Sequence, residues 1–188
     1  MRFAGLLNLE AKALAAAGAS VVQFDEPCFN IYLDKVRAWG IRAIEKAIEG
    51  VPCTTTIHIC YSYGIPRVLA WKKQNTEWGQ YGVTLPLLRE ERIGQISVEC
   101  AASGVDPAVL ERARGKDVTL GVIDVGTDEI ESPFVVADRI RKALPYVDPA
   151  RLYPCTDCGL GPRTRAAARG KLAALVEGTR IVRRELRA

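Results

Sequence analysis

An α/β fold built around parallel strands is what this sequence predicts, and two observations predict it. Short β-branched runs alternate with longer stretches that carry apolar residues at helical spacing, which is the pattern of βα units. Residues with metal-binding or acid–base chemistry also gather where the strand-like runs end, the rim at which such folds place their sites. The strand-like runs are 20–25, 54–60, 94–99, 118–124 and 151–156.

Each element has its own local reason. An alanine-rich helix over 6–17 leads into the first strand. The next helix, 32–48, carries Val36, Trp39, Ile41, Ile44 and Ile48 at helical spacing, and Gly50 stands where a helix ends. The connection 61–92 is the least regular part, with short helices expected over 66–72 and 85–91 and a polar, aromatic stretch over 73–82 between them. A long βα loop is where such a fold carries binding or lid elements, although a packed surface excursion has the same composition. After the third strand, Asp106 and Pro107 predict an N-cap and first helical residue for a helix to 114. Glu131, Ser132 and Pro133 introduce a helix over 134–144, and the last strand is followed by a turn and a helix over 165–184. Neither a linker nor a low-complexity tract interrupts the alternation, so 1–188 reads as one domain.

Composition narrows the class without naming a function. A chain of 188 residues with 48 % hydrophobic and 26 % charged residues can bury one core. Its net charge of +4 is small and the basic residues are dispersed except over 180–187, so no nucleic-acid partner is expected. No apolar run approaches the ~18 residues a membrane span needs. Glu10 and Lys12 break any apolar leader at the start, and an amphipathic helix is expected there. Cys28, Cys53, Cys60, Cys100, Cys155 and Cys158 suit a reducing cytoplasm better than a disulfide framework, because the chain is large enough to need none.

The chemistry concentrates in four residues. His58 and Cys60 are two apart on a strand and therefore point to the same side, so one metal could take both. Glu99 closes the third strand and Cys158 follows the fifth, which brings two further donors to the same rim. An imidazole, a carboxylate and two thiolates suit Zn²⁺ better than a hard cation. With three negative ligands the site is net anionic, which favours keeping a bound thiol nucleophilic over acidifying water. Cys155 leaves two other arrangements open: a redox pair with Cys158, or a closed site in which Cys155 replaces Glu99. Asp25, before Glu26 and Pro27, and Asp124 sit at strand ends where functional carboxylates occur, or where a carboxylate simply caps a turn.

Taken in order, the strand ending Asp25-Glu26-Pro27, the His58-Ile59-Cys60 strand, the strand ending in Glu99, Gly121-Val122-Ile123-Asp124 and Asp157-Cys158-Gly159-Leu160 resemble the catalytic barrel of cobalamin-independent methionine synthases. The resemblance implies a TIM-type (β/α) barrel, incomplete, with about the last five βα units of eight. It implies His58, Cys60, Glu99 and Cys158 as zinc ligands and Asp25 as the carboxylate that receives the amino group of homocysteine. The activity implied is methyl transfer to homocysteine sulfur, forming methionine. The donor would be 5-methyltetrahydropteroylglutamate, or a corrinoid-bound methyl group as in shorter relatives, since the stretch between Cys60 and Glu99 is longer here than in the long two-barrel enzymes. A related zinc enzyme acting on another small thiol, such as an epoxyalkane:coenzyme M transferase, shares the strand order, and an inactive zinc-binding fragment is the remaining alternative. The family's histidine after the Gly-Val-x-Asp strand is replaced by Gly126, so Asp124 is the expected proton donor. An open five-stranded sheet is expected to expose its edges and an apolar inner face, which leaves room for an N-terminal companion chain or self-association.

Overall fold

The computed structural model describes residues 1–63, 70–72, 74–75, 78–89 and 92–187. The strands are β1 (Val21–Asp25), β2 (Thr54–Ile59), β3 (Gln95–Val98), β4 (Asp117–Ile123) and β5 (Leu152–Thr156). Each lies within one residue of its sequence-predicted ends. They form a single sheet in the order β1-β2-β3-β4-β5, every pair parallel. Sequential order in a parallel sheet requires a crossover after each strand, and the helical segments supply them.

Those segments are α1 (Arg2–Ala16), α2 (Leu33–Lys35), α3 (Ile41–Ile48), α4 (Tyr81–Arg89), α5 (Pro133–Ala143) and α6 (Arg165–Glu185). A π-helical stretch, Val36–Gly40, joins α2 to α3, so the helix expected over 32–48 is one continuous rod with a wider turn in its middle. The helix expected over 66–72 falls mostly outside the described residues. Helix α4 starts earlier than the expected 85–91, because Tyr81 turns inward and becomes completely buried. The segment after Asp106 is capped as expected, with Asp106 Oδ1 accepting from Ala108 N at 2.9 Å, but Pro107–Ala113 winds as a 3₁₀ helix. At ~2.0 Å rise per residue against ~1.5 Å for an α-helix, that winding recrosses the sheet in fewer residues before β4 begins. Ser132 and Thr164 cap α5 and α6 through hydrogen bonds from Val135 N and Ala167 N.

The two faces of the sheet differ in chemistry. Ile57, Ile59, Ile96, Val98, Val118 and Leu120 belong to the hydrophobic core beneath the helices. Strand alternation sends the intervening residues to the other face. There His58 stands level with Ser97 and Thr56 with Gln95, and both pairs hydrogen-bond at 2.8 Å. The inner face is thus polar along its middle strands, and the expectation of an apolar inner face is corrected. The reason is the Thr, His, Ser and Gln alternating with the β-branched core residues. Among the described residues, exposed apolar side chains remain on that face only at the edge strands, Val21 of β1 and Tyr153 of β5, and others lie on α1 at Phe3, Leu6 and Leu9.

Two close approaches lock the fold around the rim. A side chain at Gly121 would collide with Asp157 and with the Val98 carbonyl, so only glycine lets the turn after β5 close over β4. Gly178 of α6 likewise leaves room for Val136 of α5 and the Pro133 carbonyl. Lys171 of α6 is fully buried and pairs with Glu131 Oε2 at 2.9 Å.

Candidate metal centre

The C-terminal ends of β2 and β5 carry the donor cluster. Among the described residues, His58, Cys60 and Cys158 form a group whose ligand atoms all lie within 4.8 Å of one another. His58 and Cys60 face the same way because of their two-residue spacing on and just beyond β2. The turn Asp157-Cys158-Gly159 carries the third donor in from the opposite side of the sheet. Cys155 lies outside the group, so the arrangement is not the closed one in which it replaces a carboxylate.

Both His58 nitrogens are accounted for by this geometry. Nδ1 lies 2.8 Å from Ser97 Oγ on the neighbouring strand, while Nε2 is buried and has no hydrogen-bond partner. A buried imidazole nitrogen without a partner is costly unless something else takes its lone pair. Beside two thiols, a soft divalent cation such as zinc meets that need. The donor set therefore fits the metal that the sequence implies.

The sulfurs are electrostatically unequal. The Cys60 thiol is pushed up by its hydrogen bond with Cys158, by burial and by the Cys158 charge. Cys158 is pushed down by the same shared hydrogen bond and by His58. One proton thus bridges the pair, and Cys158 is the sulfur that ionises first. Ser62, whose φ of 59° is left-handed, turns its amide back to donate to Cys60 Sγ at 3.3 Å. That bond favours the thiolate form of Cys60.

Glu99 is completely buried, but its carboxylate is engaged elsewhere. Oε2 accepts from Tyr61 N at 2.9 Å, and Oε1 pairs with the Lys72 ammonium. It is not part of the three-residue cluster. Two residues that the sequence reading did not single out hold this end of β3. Tyr81 donates its hydroxyl to Ile59 O at 2.5 Å and accepts from Glu99 N at 2.8 Å, bridging the strand ends where they separate. Asp157, within a motif already noted but without a role, accepts from the amides of Cys100, Ala101 and Ala102 at 3.1, 3.0 and 2.6 Å. Burial and the nearby Glu99 raise its carboxyl to about 7 against those donors. Its sequence signal was a carboxylate adjacent to a candidate ligand.

The two other predicted carboxylates stand on either side. Asp25 is exposed at the end of β1, level with His58, and accepts from Gln23 Nε2 at 2.8 Å. Asp124 Oδ1 accepts from Gly126 N at 2.6 Å, while Asp124 N donates to Glu131 Oε1 at 2.8 Å. Asp124 and Gly126 line a cavity of about 410 Å³ with Tyr63, Lys72, Trp78 and Arg163. The Lys72 ammonium also sits 3.7 Å from the Tyr63 ring centroid. The cavity's aromatic walls suit a planar group, while Lys72 is paired with Glu99 and Arg163 with Asp128 at 3.2 Å.

Comparison with known proteins agrees with the strand-end pattern. Residues 83–180 match the family described as cobalamin-independent synthase, catalytic domain. Methionine synthases of Saccharolobus islandicus and Sulfurisphaera tokodaii are 36 % and 32 % identical over 96 % and 98 % of this chain. The chain spans about half the length of these curated relatives, 50 % and 49 % respectively. A B12-independent methionine synthase from Shewanella sp. W3-18-1, solved in complex with selenomethionine, superimposes with a TM-score of 0.93 at 52 % identity, covering 98 % of this chain and 54 % of that one. A more distant structure from Listeria monocytogenes, at 18 % identity and a TM-score of 0.63, shares the fold. The chain belongs to the catalytic-domain family of the cobalamin-independent methionine synthases.

Proposed function

We propose that this chain carries the thiol-activating half of a zinc-dependent methyltransferase that moves a methyl group to homocysteine sulfur and forms methionine. The observation that carries the reading is the His58, Cys60 and Cys158 cluster with its unpartnered imidazole nitrogen, in a chain 52 % identical to a methionine synthase solved with selenomethionine. In this reading the five parallel strands are the last five βα units of a TIM-type barrel. The sequential parallel order of the strands and the close superposition on a methionine synthase structure support it.

His58, Cys60 and Cys158 would hold the zinc, with Glu99 as a fourth ligand once its carboxylate leaves Lys72. Zinc, when bound, acidifies a substrate thiol so that its sulfur is available as a thiolate nucleophile at neutral pH. The chain's own residues do the rest. Asp25, open to solvent level with His58, receives the ammonium of the amino-acid substrate. Tyr61 N and Lys72 orient Glu99. Asp124, at the mouth of the cavity and in the absence of a histidine at Gly126, delivers the proton that a departing folate amine needs, whereas a corrinoid donor needs none. The cavity lined by Tyr63, Trp78, Lys72 and Arg163 is the place for the donor, 5-methyltetrahydropteroylglutamate or a corrinoid-bound methyl group. Six free cysteines support a cytoplasmic setting. Among the described residues no helix is long and apolar enough to cross a membrane.

The test is zinc per chain on purified protein, before and after adding homocysteine, with zinc-edge X-ray absorption to count sulfur ligands. One zinc with about two sulfurs, rising to about three with the thiol, is the expected result. A rise with coenzyme M but not with homocysteine would reassign the acceptor to a related thiol alkyltransferase. A sulfur count that ignores both thiols would leave a zinc-binding fragment without turnover.

A further inference from the structure

Tyr81 sits between the ends of β2 and β3 at the point where the two strands part. Ile59 lies opposite Val98 at their last paired position, so Ile59 O and Glu99 N are the groups that one more rung of a parallel ladder would join. The Tyr81 hydroxyl stands between them instead, donating to Ile59 O at 2.5 Å and accepting from Glu99 N at 2.8 Å. A phenol offers both a donor and an acceptor, so the rung is opened and neither buried backbone group is left unpaired. The ring is completely buried and held from several sides. It packs edge-on against Tyr61, with ring centroids 5.4 Å apart. Leu85 and Leu88, also fully buried, fix α4 in the core, and Thr84 Oγ1 ties the same helix to Asn30 Oδ1 at 3.0 Å.

We infer that Tyr81 is a wedge that sets the spacing of Cys60 and Glu99, the residues that follow Ile59 and Val98, and so shapes the metal centre before any metal arrives. Tyr81 is a positioning residue, acting through the backbone on either side of the gap. The same connection between β2 and β3 also holds the Glu99 carboxylate, through Tyr61 N and the Lys72 ammonium. Over its described residues that connection therefore works as a brace beneath the site. The inference deepens the zinc reading above and rests on it. Loss of an outer partner that orients metal ligands weakens metal sites about 10–100-fold.

The test compares Tyr81→Phe with Thr84→Val, which removes a buried hydroxyl from the same helix but one whose partners, Asn30 and Gln80, belong to neither strand end. Zinc affinity is read by chelator competition, and ligand geometry by the visible absorption bands of the cobalt(II)-loaded protein. Tyr81→Phe should bind zinc about 10–100-fold more weakly and shift the cobalt bands. Thr84→Val should match wild type in both, whatever stability it loses. An unchanged affinity and spectrum in Tyr81→Phe overturns the wedge, as does an equal change in Thr84→Val. A further measurement needs no variant: hydrogen exchange at the Glu99 amide of wild-type protein. That amide should be as protected without metal as with zinc, and protection that appears only on adding zinc overturns a spacing set in advance. Wild-type protein that takes up neither zinc nor cobalt would sink the zinc reading and with it the role given to Tyr81, whereas normal zinc uptake by wild type and Tyr81→Phe alike would sink the wedge alone.

Discussion

The Lys72 ammonium and the Glu99 carboxylate form an ion pair inside the protein, their side chains 12 % and 0 % exposed. The pair holds a predicted zinc ligand 27 residues from its partner in sequence, away from the three clustered donors. On the proposed reading, a zinc ion at the cluster and the lysine would compete for this one carboxylate.

That competition gives a stability prediction. Removing one partner of a buried pair leaves an uncompensated charge and costs about 3–5 kcal/mol. Lys72→Met should lower the urea stability of the metal-free protein by roughly that amount, and saturating zinc should recover much of the loss by giving Glu99 a new partner. An equal loss with and without zinc would mean that Glu99 never reaches the metal.

The cysteines should separate cleanly by metal content. Cys60→Ala and Cys158→Ala should each abolish stoichiometric zinc, because each removes one of three converging donors. Cys155→Ala should retain one zinc per chain, because Cys155 lies outside the cluster. Loss of stoichiometric zinc from Cys155→Ala, with Glu99→Gln unaffected, would restore the closed His-Cys₃ site.

Glu131 ties the end of β4 to α6, accepting from Asp124 N and Lys171 Nζ and pairing with Arg139. Burial raises its carboxyl, but the hydrogen bonds from Lys171 and from Asp124 N outweigh it, and the net pKa is lowered from 4.5. A depressed carboxylate contributes stability that is present above its unfolded pKa and lost as the pH falls through the folded value. Glu131→Gln should therefore lower stability at pH 7 by about 3 kcal/mol, given the buried lysine it abandons. Its further loss on acidification from about pH 5 to pH 3 should be smaller than in wild type. Parallel acid-unfolding profiles for the two proteins would show that Glu131 does not contribute.

Gly121→Ala should be damaging out of proportion to one methyl group. Its Cβ would fall 2.9 Å from both Asp157 Cα and the Val98 carbonyl oxygen, so backbone has to move. Destabilisation of about 1–3 kcal/mol is the ordinary cost of such overpacking. Zinc affinity should fall as well, since Asp157 precedes the proposed ligand Cys158. Wild-type zinc affinity in a destabilised Gly121→Ala protein would show that the Asp157 clamp does not position Cys158.

What the sequence determined by itself is local. β-Branched runs and helical periodicity located every strand, Asp106, Ser132 and Thr164 capped the segments that follow them, and the i, i+2 spacing of His58 and Cys60 put two donors on one side of β2. These features depend on backbone geometry over a few residues, which residue type and spacing specify directly. The order of strand-end motifs went further and pointed to the family, because a sequential parallel sheet turns chain order into spatial order. Only the tertiary structure decided which side chains meet. Ser97 lies beneath His58 from 39 residues away, Tyr81 spans Ile59 and Glu99 from a loop that reads as surface, Asp157 gathers three amides from the β3 end, and Lys72 takes Glu99. Each of those contacts depends on strand register and on how deeply a crossover inserts between strand ends. Both are set by packing of the whole sheet against its helices, and no short stretch of sequence encodes them.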